Sequence, residues 1–163
     1  MLKYVFLCLG FLLTGCGFQP LYVSHEDTLH QAASVQIEPI AGQGGYQAEL
    51  ILQKRLNPEG MQVPKKYRLY VTFHQPTYAN QSIRSDNFAS LEKMTIKASY
   101  TLKDIQKNQT VISATVDSNG LFNLVNDPYA TVSAQDNLYD NLIKMMTDDI
   151  AMHVLSYFKG VSP

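Results

Sequence analysis

Apolar and polar residues alternate most cleanly over residues 67–74. Tyr67, Leu69, Val71 and Phe73 fall on one side, and Arg68, Tyr70, Thr72 and His74 on the other. A period of two marks a half-buried strand. The pattern returns over 93–105. Met94, Ile96, Ala98, Tyr100 and Leu102 share one side; Thr95, Lys97, Ser99, Thr101 and Lys103 share the other. Lys107-Asn108-Gln109 reads as a turn, and 110–118 as the return strand with Ile112, Ala114 and Val116 inward. A shorter alternation over 34–38 puts Val35 and Ile37 together and ends at Pro39. Elsewhere the spacing turns helical. Residues 46–56 place Ala48, Ile51, Leu52 and Leu56 near one face, stopped by Asn57-Pro58-Glu59-Gly60. Ser133-Ala134-Gln135-Asp136 has the form of a capping box. A helix follows to about Lys159, with Tyr139, Leu142, Ile143, Met146, Ile150, Val154 and Tyr157 as its apolar stripe. Asp140, Lys144, Asp148 and Ser156 lie opposite. Residues 18–31 read as a tether, 77–92 as a long loop or a frayed hairpin end, and 119–131 as a connection.

The order is therefore strand, helix, three strands, helix. One apolar stripe per helix and one apolar face per strand predict an α+β two-layer sandwich, a four-stranded sheet with both helices on one face. The other face would carry Arg68, Tyr70, Thr72, His74, Lys97, Thr101, Lys103, Ser113, Thr115 and Asp117.

The chain has 163 residues, the size of one domain. Its 13 basic and 14 acidic residues nearly cancel, which argues against a bulk nucleic-acid binder. Two cysteines exclude a disulfide-dense scaffold. Charged residues are only 17% while tyrosines number ten, so the surface is polar but weakly charged, as suits a protein largely in contact with something else.

The first residues follow another logic. Lys3 precedes an apolar run over 4–13, too short to cross a bilayer and suited to a signal-peptide core. Leu13-Thr14-Gly15-Cys16 then resembles a bacterial lipobox. That resemblance implies removal of residues 1–15, an S-diacylglyceryl and N-acyl lipid on Cys16, and a mature chain of 148 of the 163 residues. Several acyl chains, at roughly 0.8 kcal/mol per buried CH₂, make a permanent anchor. Gly17, not Asp, follows the cysteine and points to the outer membrane. Residues 16–32 then form the lipidated cysteine and tether, and 33–160 a single periplasm-facing domain.

No catalytic constellation is legible. There is no G-x-S-x-G and no P-loop. His25, His30, His74 and His153 lack the spacing of a zinc pair, so no metal is expected. Asp148-Asp149 diverge on a helix and read as a solvated edge; Met145-Met146 reads as core filler. Gly42-x-Gly44-Gly45 lacks the full phosphate-binding fingerprint and reads as a plain loop. The chain is thus expected to be no enzyme and to need no cofactor beyond its covalent lipid. The remaining candidates are basic. Lys97 and Lys103 share a strand face, with Lys93 and Arg84 before them and Arg68 on a neighbouring strand. Such groups can bind lipid phosphates. They also serve simply to keep an exposed sheet face soluble.

The segment Cys16-Gly17-Phe18-Gln19-Pro20-Leu21-Tyr22 resembles the start of mature LptE lipoproteins, in the form of the alphaproteobacterial branch. Pro128-Tyr129-Ala130-Thr131 is similar to that family's segment before the terminal helix, and the element order agrees. The resemblance implies a non-enzymatic plug inside the outer-membrane β-barrel LptD. The two would place lipopolysaccharide in the outer leaflet, with lipopolysaccharide and LptD as partners and no nucleic acid. A barrel lumen is polar, which would give the weakly charged surface a purpose. The family motif transfers no lipopolysaccharide-contact residues; Lys97, Lys103, Lys93, Arg84 and Arg68 rest on spacing alone. Two other readings compete. A periplasm-facing carrier or chaperone for lipid or lipoprotein cargo needs a deep apolar cavity, and an envelope hydrolase needs a catalytic site.

Overall fold

The computed structural model describes residues 26–83 and 89–160. Their elements are α1 (Glu26–Ala33), β1 (Val35–Ile37), α2 (Gly45–Leu56), β2 (Tyr67–Phe73), β3 (Thr77–Ile83), β4 (Ala89–Asp104), β5 (Gln109–Asn123) and α3 (Pro128–Phe158). The α+β two-layer architecture is the one the hydrophobic pattern predicts. The sheet has five strands rather than four, and a third helix joins the layer that covers it. That helix, α1, forms within the segment read as a tether and buries Thr28, Ala32 and Ala33.

β4 organises the sheet. Its apolar side, Met94, Ile96, Ala98, Tyr100 and Leu102, is buried throughout. β5 runs antiparallel along its whole length on one side. β2 and β3 follow one another along the other side, both antiparallel, and β1 adds in parallel to β2. β2 and β3 are thus two halves of one long strand. Its ladder passes Phe73↔Ala98, and the His74 N–H still donates to the Lys97 carbonyl at 2.8 Å. Pro76 then supplies no donor. Pairing resumes at Thr77↔Thr95 with one extra residue on this side. An extra residue inverts the alternation. Odd positions face the core in β2, whereas Tyr78, paired with Met94, faces it in β3. Further register shifts beyond Asn80 break the period again. This is why residues 77–92 read as a loop.

β5 also outruns its sequence reading, reaching Asn123 with Phe122 buried. Gly120 sits within it, opposite Met94. A Cβ there would stand 2.5 Å from Leu138 Cδ1 of α3, so the glycine lets the helix approach the sheet. The helix itself starts earlier than the Ser133 box predicts. Asp127 is the N-cap, its carboxylate accepting from the N–H groups of Tyr129 at 2.9 Å and Ala130 at 3.5 Å, and Pro128 takes the first turn. Leu142, Ile143, Met146, Ile150 and Val154 form the stripe as predicted, joined by Thr147, Ala151 and Leu155. Thr147 is fully buried, and its hydroxyl donates to the Ile143 carbonyl at 2.7 Å. Tyr157 departs from the expected stripe and is exposed; Phe158 packs against Tyr67 instead, ring centroids 5.1 Å apart. Each fully buried Leu, Ile or Met contributes roughly 1.5–3 kcal/mol.

The glycine run before α2 is a packing device. A Cβ on Gly45 would fall on the Ile40 carbonyl oxygen. Gly44, at φ +78°, lies against Ile143 of α3. Glu49 reaches back to accept from the Ile40 N–H at 2.6 Å, and the Tyr139 hydroxyl donates to the Gln43 carbonyl at 3.0 Å. The loop therefore ties α2 and α3 to the β1 end of the sheet. Gly45→Ala should cost at least ~2 kcal/mol of unfolding free energy in urea titration, because backbone must move.

Tyr100 joins the layers, its hydroxyl 2.7 Å from Nδ1 of His153 on α3. Burial pushes the Tyr100 phenol above its usual range. Burial also raises Tyr67, with Tyr157 and Asp104 adding, and Tyr139, with Asp140 and Tyr78 adding. The folded chain keeps protons that the unfolded chain releases near pH ~10. Stability should be full below that pH and fall as pH rises through the folded values. Tyr100→Phe should cost about 1 kcal/mol at neutral pH and make the alkaline fall shallower, as read by unfolding titrations at pH 7 and above 10.

Candidate functional site

The helices cover one side of the sheet and leave the other to the outside. Pairing fixes what stands there. Arg68 lies opposite Lys103, Tyr70 opposite Thr101, and Thr72 opposite Ser99. Across β4, Lys97 faces Asp117, Ser99 faces Thr115 and Thr101 faces Ser113. The polar face is composed as the sequence predicts. A band of hydrogen-bonding groups crosses it: His74 Nε2 is 2.8 Å from Ser99 Oγ, which is 3.4 Å from Thr115 Oγ1. These groups are at the surface and can exchange partners with water, sugar hydroxyls or another protein's polar groups.

Lys93, Lys97 and Lys103 lie on this one face of β4, with Arg68 beside Lys103. They are strung out, since six residues separate Lys97 from Lys103, about 20 Å of extended strand. Several have intramolecular partners. Arg68 Nε is 3.5 Å from Glu38 Oε1, both partly exposed, a pair of at most ~1 kcal/mol. Lys103 Nζ stands 5.3 Å from the centroid of the Tyr70 ring. Lys97 has Asp117 across the strand pair. Arg84 and Cys16 lie outside the described residues.

Sequence reasoning missed a polar cleft of about 200 Å³ at the β2–β3 break, where Gln75 and Asp136 are among the lining residues. Gln135 Nε2 donates to the Tyr78 hydroxyl there at 2.6 Å, and Tyr78 meets Phe122 edge-on. Pro76 is the one hint in the sequence, since a proline after an alternating run marks a strand end or an irregularity. The Pro128-Tyr129-Ala130-Thr131 segment forms the first turn of α3. The Thr131 hydroxyl donates to the Val125 carbonyl and accepts from its N–H, both at 3.2 Å, while Tyr129 is 82% exposed. Among the described residues, no three His, Cys, Asp or Glu side chains gather where they could hold a metal ion. Among the same residues, no helix is long and apolar enough to cross a membrane.

No family model and no curated protein matches the chain. Solved structures do. A lipoprotein candidate from Caulobacter crescentus CB15 superposes with TM-score 0.61 at 21% identity, over 83% of this chain and 98% of that one. The uncharacterized lipoprotein B from Nitrosomonas europaea gives 0.59 at 11% identity, over 77% and 83%. A minor lipoprotein from Acinetobacter baumannii gives 0.53 at 14%, over 76% and 90%. The chain shares their fold. At these identities the likeness concerns the fold alone.

The cross-strand pair on that face is open to measurement. Lys97→Glu sets like charges opposite at Asp117 and should cost about 0.5–1 kcal/mol more than Lys97→Gln. A double-mutant cycle with Asp117→Asn, repeated at low and high salt, should show the difference vanish with Asp117 removed and shrink as salt rises.

Proposed function

We propose that this chain is a lipid-anchored, non-enzymatic subunit of the lipopolysaccharide translocon in the outer membrane, of the LptE kind. It would be tethered through acyl groups on Cys16 and seated in the LptD β-barrel, where it supports barrel assembly and contacts lipopolysaccharide. The observation that carries this reading is the uncovered polar sheet face. It offers an imidazole and two hydroxyls in a hydrogen-bonded band, flanked by amines and a carboxylate, with few exposed apolar side chains. Such a face matches the wall of a wet barrel lumen, which is polar and hydrogen-bonding. The lipobox at Leu13-Thr14-Gly15-Cys16 and the following Gly-Phe-Gln-Pro-Leu-Tyr segment narrow the choice. The shared fold with lipoproteins of other bacteria is consistent with it. In this reading Lys93, Lys97, Lys103, Arg68 and Arg84 are candidate contacts for lipopolysaccharide phosphates, the cations exchanging present partners for the ligand.

The test is affinity purification of the full-length tagged protein from its own outer membrane in mild detergent, followed by mass spectrometry. A stoichiometric large β-barrel is the expected companion, and Cys16→Ser should remain an uncleaved, unlipidated precursor that captures none. An intact, lipidated protein that purifies without a barrel would overturn the plug reading in favour of a carrier. In the complex, Lys97→Gln with Lys103→Gln should weaken lipopolysaccharide binding several-fold without unfolding the domain. Unchanged binding would remove these two lysines from the candidate contacts.

A further inference from the structure

The helix layer holds a groove of about 530 Å³ where α1, α2 and α3 converge. Its volume is in the ~300–1,000 Å³ range of sites that enclose small organic ligands. Leu29 of α1, Ile51 of α2 and Leu155 of α3 give it an apolar lining. Ile51 falls on the apolar stripe of α2, yet it is only partly buried and turns to this groove. The charges around that lining are mostly of one sign. Lys54, Arg55, Lys144 and Lys159 line it against Asp148, whose Oδ1 accepts from Arg55 Nε at 2.8 Å. Helical spacing explains the convergence. Ile51, Lys54 and Arg55 share a face of α2, and Lys144 and Asp148 are one turn apart on α3. Four of the 13 basic residues of a chain with net charge -1 thus meet at one apolar groove.

We propose that this groove binds one anionic membrane phospholipid, its phosphate against Lys54 and Lys144 and an acyl chain along Leu29, Ile51 and Leu155. Both halves of the lining are needed for the assignment. A free phosphate would use the cations and leave the apolar residues wet. A neutral lipid would cover those residues and bring no anion to Lys54 and Lys144, whereas an anionic headgroup would pair with both. A phosphorylated disaccharide with many acyl chains is too bulky for a groove of this volume. The site lies across the helix layer from the open sheet face, so it stands whether or not the barrel partner is confirmed.

The experiment titrates the purified full-length protein with dihexanoyl phosphatidylglycerol below its micelle concentration, followed by native mass spectrometry and calorimetry. One lipid should bind per chain, at least tenfold more tightly than dihexanoyl phosphatidylcholine. Lys54→Gln with Lys144→Gln should weaken binding at least tenfold. Both positions are exposed, so the variant's thermal midpoint should stay at the wild-type value. Equal affinity for the two lipids would overturn the proposal, as would glycerol phosphate binding as tightly as the lipid. Unchanged affinity in the double variant would place the lipid elsewhere. Displacement of the bound lipid by stoichiometric lipopolysaccharide would reassign the groove to that larger glycolipid.

Discussion

The rest of the molecule depends on the two-sidedness of β4. Every inward residue from Met94 to Leu102 is apolar and buried, while Thr95, Lys97, Ser99, Thr101 and Lys103 occupy the other side. A side-chain period of two leaves such a strand no choice of face. All three longer strands take their register from it: β2 and β3 on one side, β5 on the other. The helices then settle where the apolar surface is. Burial of that surface is the dominant favourable term, so it also decides which face of the sheet is left exposed.

The helix layer is held close by residues chosen for what they lack. Gly45 has no Cβ to strike the Ile40 carbonyl, and Gly120 none to strike Leu138. At Gly45 backbone approaches backbone more closely than a Cβ allows, and at Gly120 the Leu138 side chain takes the space a Cβ would fill. Polar groups in the interface are matched as well. Thr147 returns its hydrogen bond to its own helix, Tyr100 meets His153, and among the described residues no buried side-chain polar atom lacks a partner. The result is a fixed layer on one side and, on the other, a face whose hydrogen bonds remain exchangeable. That division suits the proposed plug, whose open face would meet a barrel wall. The proposed lipid groove adds a second contact, on the side away from the polar face.

The sequence by itself determined the two-layer plan, because strand and helix periods differ and each element has one apolar side. It also determined the composition of the polar face and placed Lys97 and Lys103 along it, since a regular strand cannot turn alternate residues inward. Its limits fall where regularity fails. The extra residue between Phe73 and Thr77 inverts the alternation, so β3 carries no readable period. The start of α3 was hidden for another reason. The Ser133 box and the Asp127-Pro128 pair are both local start signals, and only the structure shows that the helix takes the earlier one. Only the tertiary structure decided which cations would be neighbours. It brought Arg68 beside Lys103 across β2 and β4 and gave Lys97 to Asp117. It also gathered Lys54, Arg55, Lys144 and Lys159 from two helices around one groove. Periodicity is a property of short stretches of chain, while the meeting of charges from distant stretches depends on how the helices cross the sheet. Gly120 against Leu138 is one point where that packing is set, and no local spacing encodes it.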